Sequence, residues 1–192
     1  TSNFFLRKDI MSQAVLLTGI SGFIGLYCAK ELLDSGFKVR GTIRSQKKEQ
    51  VVRDTIKRNN VNIENLEFRL LDLNSDNGWT QSMKGIDYVM HVASPFRITN
   101  PKNENEMMLP AVEGTKRVLR AADKANVKRV ILTSSIVAMM SSLRRGCFGP
   151  NDWTDVNYPN LNTYIKSKTL AEKAAWQFIN ENKSSPSTEL TV

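Results

Sequence analysis

A tyrosine and a lysine near the end of the chain have the spacing of an acid–base pair. Tyr164 and Lys168 are four residues apart in a stretch with helical character, so their side chains share one helix face. A phenol ordinarily has a pKa near 10, too high for easy proton exchange at neutral pH, and an adjacent ammonium group lowers it. The pair could therefore exchange a proton with a substrate.

A second candidate site lies near the start of the chain, where glycines at 19, 22 and 25 follow a short apolar run. Gly19 would make a tight turn, Gly22 would let the backbone approach a pyrophosphate, and Gly25 would let a helix pack closely on a sheet. The first residues of that helix, including Phe23 and Ile24, would offer free amides to phosphate groups. The sequence therefore predicts a dinucleotide site.

The end of the second predicted strand indicates which dinucleotide binds there. An acidic residue at this point would bind the ribose hydroxyls of NAD and repel a 2′-phosphate. The stretch between Phe37 and Lys48 contains no acid, but it contains Arg44, followed by Lys47 and Lys48. A guanidinium can pair with phosphate oxygens through two hydrogen bonds, so we expect NADP(H). The alternative is that Arg44 is only a solvated charge at a strand end.

Apolar runs alternate with stretches of helical periodicity along the whole chain, which predicts a Rossmann-type, doubly wound parallel α/β sheet with helices on both faces. The strands are short and apolar throughout, as a sheet covered on both faces requires. Predicted strands lie at 14–17, 38–43, 66–71, 86–92, 127–133 and 189–192, and predicted helices at 22–33, 46–58, 74–84, 104–125 and 162–182.

The composition is that of an ordinary globular domain, with 192 residues, 41% of them apolar, and a formal net charge of +8. It excludes collagen-like and disordered classes, and no apolar stretch is long enough to cross a membrane. Cys28 and Cys147 form neither a disulfide framework nor a metal site, so we expect two packing residues and a reducing, cytoplasmic setting. Residues 1–10 resemble a tag or upstream tail, and 11–192 the folded domain.

Basic residues concentrate between Lys38 and Arg58, which contains eight lysines and arginines and two acids. The segment favours either one solvated helix face or an anionic ligand. Nucleic acid is a weaker interpretation, because no aromatic residues alternate with the charges. The single histidine, His91, lies in an apolar strand and is interpreted as a core residue rather than an acid or base.

The motifs together resemble the extended short-chain dehydrogenase/reductase superfamily, whose members carry Thr-Gly-x-x-Gly-Phe-Ile-Gly, here residues 18–25. Several segments are similar to its dihydroflavonol-reductase-like branch, notably 39–44, 91–95, 110–115 and 167–176. The resemblance implies that Ser135, with Ser134 as the fallback, binds the substrate carbonyl and that Lys168 also binds the nicotinamide ribose. It further implies that Asp72 binds adenine and that the cofactor contacts Leu73, Val92, Ala93 and Ser94.

The resemblance implies an NADPH-dependent reductase of small ketones or aldehydes, with Tyr164 as proton donor. Two alternatives stay open: a nucleotide-sugar epimerase or dehydratase that uses NAD, and a non-catalytic NADP-binding protein. Family members continue after the sixth strand with a C-terminal substrate domain, which this chain lacks, so 11–192 is expected to be a truncated cofactor-binding domain. The sequence specifies neither the substrate nor an oligomeric state.

Overall fold

Six parallel strands form the centre of the molecule in the computed structural model, which describes residues 13–97, 99–140, 146–182 and 188–192. The predicted tail, 1–10, lies outside the described residues. The strand order is β3-β2-β1-β4-β5-β6, as expected for a Rossmann-type sheet. The strands are β1 (Ala14–Thr18), β2 (Lys38–Ile43), β3 (Leu66–Leu70), β4 (Tyr88–His91), β5 (Arg129–Leu132) and β6 (Glu189–Thr191).

Helices follow the strands and cover both faces of the sheet. They are α1 (Phe23–Asp34), α2 (Lys47–Lys57), α3 (Trp79–Ser82), α4 (Asn105–Lys124), α5 (Val137–Met140) and α6 (Thr163–Glu181). Adjacent residues of β1 show the two faces: Leu16 belongs to the core under α4 and α6, and Leu17 to the core under α1 and α2. Alternate side chains of one strand point to opposite faces, so each buried strand serves two cores.

The chain order reverses between β1 and β4, which lie side by side at the middle of the sheet. Val15 to Thr18 pairs in register with Tyr88 to His91, so both strands end at the same level. In open parallel sheets a ligand binds in the crevice at the carboxyl ends of such neighbouring strands. The glycine turn follows β1, and residues 92–94 follow β4, which places both predicted segments at this crevice.

The helices observed after β3 and after β5 differ from the expected ones. The helix expected at 74–84 is confined to Trp79–Ser82, because Asp72 and Ser75 accept amide hydrogen bonds from Asn74 and Asn77 (2.8 and 3.2 Å) and fold the approach into turns. The apolar residues of this segment, Trp79 and Met83, are buried. The short helix α5 lies between the predicted fifth strand and the loop that begins at residue 141, in a stretch to which no element was assigned.

Details of packing also correct two expectations. The apolar pattern of α2 predicts that Val51, Val52 and Ile56 lie on one side of the helix, but Val51 is 56% exposed while the other two are buried. Cys28 packs partly against a core cluster, whereas Cys147, also expected to be a packing residue, is exposed. Within the described ranges, no helix combines the length and hydropathy that a membrane crossing requires.

Candidate functional site

The glycine turn has the close packing that its spacing predicts. Gly19 has a φ of +71°, and a Cβ placed on it would lie 2.9 Å from the Cα of Ala93. A Cβ on Gly25 would lie 2.8 Å from the carbonyl carbon of Gly19, so only glycine lets α1 start this close to the turn. Gly22, in contrast, is exposed, and its nearest neighbour for a Cβ is the Gly19 oxygen at 3.3 Å.

The start of α1 presents unpaired backbone amides to the crevice. The first hydrogen bond of the helix runs from the Leu26 N–H to the Gly22 carbonyl at 2.9 Å. Among the described residues, the amides of Phe23, Ile24 and Gly25 therefore have no acceptor. Together with the positive end of the helix dipole, these amides fit the diphosphate of a dinucleotide.

Arg44 lies immediately after β2, beside the glycine turn, and its side chain is exposed. Within the part of the chain that the structure describes, Arg44, Lys47 and Lys48 have no acidic partner. Other basic residues of the segment are held within the fold. Arg40 binds Glu67 and the carbonyls of Ser82 and Lys84, and Arg53 binds Glu49 and lies over the Phe68 ring at 4.9 Å.

The structure places Asp72 and Leu73 directly after β3, at the same edge of the sheet. The Asp72 carboxylate is half-buried and accepts the Asn74 amide at 2.8 Å, so it caps the turn that follows β3. Leu73 packs against α4, where a Cβ on Gly114 would lie 2.9 Å from the Leu73 Cβ. Their predicted contacts with the cofactor, to adenine in the case of Asp72, stay predictions.

The end of β4 is fixed through Thr18 and His91. The Thr18 hydroxyl accepts the Ala93 amide at 3.0 Å and lies 2.8 Å from His91 Nδ1. The Thr115 hydroxyl donates to the Ala111 carbonyl at 2.7 Å, so its oxygen accepts from His91 Nε2 at 3.3 Å. His91 is therefore neutral with its proton on Nε2, and Thr18 donates to Nδ1. Val92, Ala93 and Ser94, which follow it, are all half-buried.

His91 is 2% exposed, as expected for a core residue. Burial, with a smaller contribution from the positive charge of Lys168, lowers its pKa to about 3. Its role is to join β1, β4 and α4, because Nδ1 accepts a hydrogen bond from Thr18 and Nε2 donates one to Thr115.

Helix α6 carries Tyr164 in its first turn and Lys168 one turn later. Asn162 caps the helix by accepting the Tyr164 amide at 2.8 Å. Asparagine suits this position because its side-chain oxygen reaches the free amides of the first helical turn. Lys168 is 6% exposed and donates from Nζ to the carbonyl of Thr133 at 2.6 Å. This bond brings α6 onto the end of β5.

Ser135 and Tyr164 therefore lie at the same edge of the sheet. Ser135 is half-buried, and its carbonyl accepts the Ala138 amide at 2.9 Å as the chain turns into α5. Tyr164 is also half-buried, with its ring edge-to-face against Phe96 at 5.1 Å between centroids. Among the described residues, neither hydroxyl has a hydrogen-bond partner, so both groups are available to a ligand.

Sequence reasoning did not single out Glu172 as a site residue. Its carboxylate accepts the Ser134 hydroxyl and the Trp176 indole N–H, the latter at 3.3 Å. It lies one helical turn after Lys168, and that four-residue spacing could have revealed it. Ser134 is thus occupied with Glu172, which favours Ser135 over Ser134 as the residue facing a substrate.

The family assignment follows from comparison with known proteins. The family model described as "NAD dependent epimerase/dehydratase family" matches residues 15–188. The chain belongs to this family, the extended short-chain dehydrogenase/reductases. That confirms the resemblance inferred from the glycine turn and the Tyr164–Lys168 pair.

Individual relatives include reductases of the branch suggested by the sequence. An uncharacterized oxidoreductase of Saccharomyces cerevisiae is 33% identical, over 95% of this chain and 57% of its own length. Dihydroflavonol 4-reductase of Hordeum vulgare is 33% identical, over 88% of this chain and 49% of its own length. The yeast methylglyoxal/isovaleraldehyde reductase Gre2, solved with NADPH, matches with a TM-score of 0.81 and 29% identity. The match covers 93% of this chain and 56% of that protein. This chain spans about half the length of these relatives.

Proposed function

We propose that this chain is the cofactor-binding part of an NADPH-dependent reductase of small ketones or aldehydes. The observation that supports this most directly is the convergence of Ser135, Tyr164 and Lys168 at the carboxyl edge of the sheet, beside the glycine turn. Lys168 is fixed there by its hydrogen bond to the Thr133 carbonyl. The cofactor proposal is supported by the NADPH bound to the related yeast reductase.

The residues around the crevice fit such a cofactor. The amides of Phe23, Ile24 and Gly25 would hold the diphosphate, and Arg44, with Lys48 behind it, would bind the 2′-phosphate. Asp72 would bind the adenine amine, and Lys168 the nicotinamide ribose. When bound, the cofactor supplies the hydride that reduces the carbonyl carbon.

The protein's own groups would manage the charge and the proton. Ser135 would donate a hydrogen bond to the carbonyl oxygen as negative charge develops there. Tyr164 would then give its proton to that oxygen, and the Lys168 ammonium would stabilise the phenolate that remains. This division of roles requires the three side chains to face one substrate, which the arrangement of β5 and α6 permits.

Replacing Tyr164 by Phe tests this proposal. The Tyr164→Phe variant keeps the ring against Phe96 but loses the proton, so we expect turnover to fall at least about a hundredfold while NADPH affinity is retained. NADPH oxidation is measured against a panel of aldehydes, diketones and flavonoid-type ketones, and NADPH affinity by fluorescence titration. Tyr158→Phe, at an exposed tyrosine, is the matched control.

Full turnover in the Tyr164→Phe variant would contradict the proposed mechanism. Tight NADPH binding without turnover on any substrate would instead favour the non-catalytic alternative. A preference for NAD, with nucleotide-sugar conversion, would favour an epimerase or dehydratase; the absence of an acid between Phe37 and Lys48 argues against that alternative.

A further inference from the structure

Glu172 links the two segments that carry the proposed catalytic residues. Ser134, directly before Ser135, donates its hydroxyl hydrogen to one carboxylate oxygen of Glu172. The Trp176 indole donates to the other at 3.3 Å. Both oxygens are therefore fixed in direction, and the carboxylate ties the end of β5 to α6.

The same carboxylate faces a small polar cavity that it shares with Lys168. The cavity has a volume of about 10 Å³, too small for any ligand larger than a water molecule. It is lined by His91, Thr115, Ser134, Lys168 and Glu172, among others. Ala93 and Ser94, which the cofactor is predicted to contact, also line it.

The charges around Lys168 come from few groups. Of the described residues lining the cavity, the titratable ones are His91 from β4 and Lys168 and Glu172 from α6. The segment that follows β5 contributes the Thr133 carbonyl and Ser134, and α4 contributes Thr115. His91 is neutral because burial lowers its pKa to about 3. Glu172 is therefore the one negative group at this wall of the cavity.

We propose that Glu172 is a positioning residue, whose carboxylate, held by Ser134 and Trp176, stabilises the buried Lys168 ammonium. Burial lowers the pKa of Lys168, and the negative charge of Glu172 opposes that effect. Without the carboxylate, Lys168 would lose its proton at a lower pH and with it the charge that the proposed mechanism requires. Only this last consequence rests on the proposed function.

The Glu172→Gln variant separates charge from hydrogen bonding. A glutamine can accept the Trp176 N–H through its oxygen and donate from its amide nitrogen to the Ser134 oxygen. It therefore keeps both links between β5 and α6 while removing the negative charge. The matched control is Glu181→Gln, an exposed acid on the same helix whose one hydrogen-bond partner among the described residues is Gln177, at 2.7 Å.

The measurement is the titration of Lys168 in the 192-residue chain with ¹³C-labelled lysine, followed by NMR. The Lys168 signal is identified by its loss in Lys168→Arg. We expect Glu172→Gln to move the titration midpoint down by about half a pH unit or more, and Glu181→Gln to leave it unchanged. A midpoint in Glu172→Gln equal to the wild-type value overturns the proposal.

Two further variants distinguish a charge from a merely structural link. Glu172→Asp keeps the negative charge at position 172. Ser134→Ala also keeps that charge but removes the hydrogen bond between Ser134 and Glu172. The Lys168 titration midpoint should therefore stay near the wild-type value in both variants. A fall in Ser134→Ala as large as that in Glu172→Gln would mean that the link acts only through structure, and it would overturn the proposal. If Glu172→Gln does not fold, Glu172→Asp compared with Glu172→Asn gives the same contrast.

The titration needs no cofactor, so it stands apart from the proposed function. A chain that binds no NADPH would contradict the proposed function and leave the Lys168 midpoint readable. Conversely, unaltered NADPH binding and turnover with an unchanged midpoint in Glu172→Gln would contradict the role of Glu172 alone.

Discussion

Arg44 differs from Arg40 and Arg53 of the same basic segment in how its charge is used. Those two arginines bind acidic side chains and backbone carbonyls, and so fasten α2 and the loop after α3 to the sheet. Arg44 is exposed, next to the glycine turn. The segment is therefore neither one uniform solvated face nor a uniform anion-binding surface.

Replacing Arg44 by Ala tests the cofactor preference. A lost charge-assisted interaction with the 2′-phosphate is expected to raise the dissociation constant for NADPH about tenfold or more, and to leave that for NADH unchanged. Both constants are measured by fluorescence titration. Arg58→Ala is the control, since within the described ranges the Arg58 guanidinium bonds to its own turn of the chain, to the Asp54 carbonyl and the Thr55 hydroxyl. An equal loss for both cofactors would refute the assignment.

Spacing predicted the residues whose function depends on local geometry, and missed those defined by distant contacts. The glycine turn and the pairing of Tyr164 with Lys168 follow from positions a few residues apart. The environment of His91 depends on Thr18 and Thr115, which are 73 and 24 residues away, and Ser134 meets Glu172 across 38 residues. Such contacts exist only once the sheet has formed.

At the scale of elements, the first turn of α6 positions Tyr164, the proposed proton donor. Asn162 accepts the Tyr164 amide, and the Asn100 side chain accepts the Thr163 amide at 3.0 Å. Lys166 adds an ion pair to Glu104, at the start of α4, at 3.1 Å. The first turn of α6 is thus held by its own cap and by the segment that precedes α4.

Removing the cap should weaken this turn. We expect Asn162→Ala to lower the free energy of unfolding by about 1 kcal/mol, because one helix amide loses its acceptor. Urea unfolding measures this change. Asn180→Ala, in the last turn of the same helix and exposed, should have a smaller effect. Equal losses in the two variants would show that the cap contributes nothing particular.

The strand β2 and the long helices α4 and α6 were predicted well, and the single-turn helices α3 and α5 were not. The predicted bounds of β2 are the observed ones, and those of α4 and α6 differ by one residue at each end. The error at 74–78 arose because the side chains of Asp72 and Ser75 accept the amides of Asn74 and Asn77, and these bonds compete with helix formation. The spacing of apolar residues gives no sign of such bonds. Val137–Met140 is a single turn, too short to show a period.

At the scale of the molecule, His91 connects the strands at the centre of the sheet to α4. It is the chain's single histidine, it forms hydrogen bonds at both ring nitrogens, and burial keeps it neutral. Its pKa of about 3 in the folded protein lies below the ordinary value of 6.5 expected after unfolding. Between these values the unfolded chain binds the proton more readily, so acid favours unfolding.

The free energy of unfolding should therefore fall as pH decreases below about 6.5. From this group we expect a loss of about 2 kcal/mol between pH 8 and pH 5, a window above the titration of most carboxyl groups. Urea unfolding at several pH values measures the slope, and His91→Gln should remove most of it. A wild-type slope that persists in His91→Gln would assign the dependence to other groups.

The hydrogen bond from Lys168 to the Thr133 carbonyl has a consequence for genetics. One side chain both fastens α6 to β5 and takes part in the proposed chemistry. Missense alleles at codon 168 would accordingly be thermolabile as well as inactive, with low steady-state abundance at elevated temperature. Alleles at codon 164 that keep an aromatic ring would yield abundant, heat-resistant protein without turnover, so an abundance assay would separate the two classes.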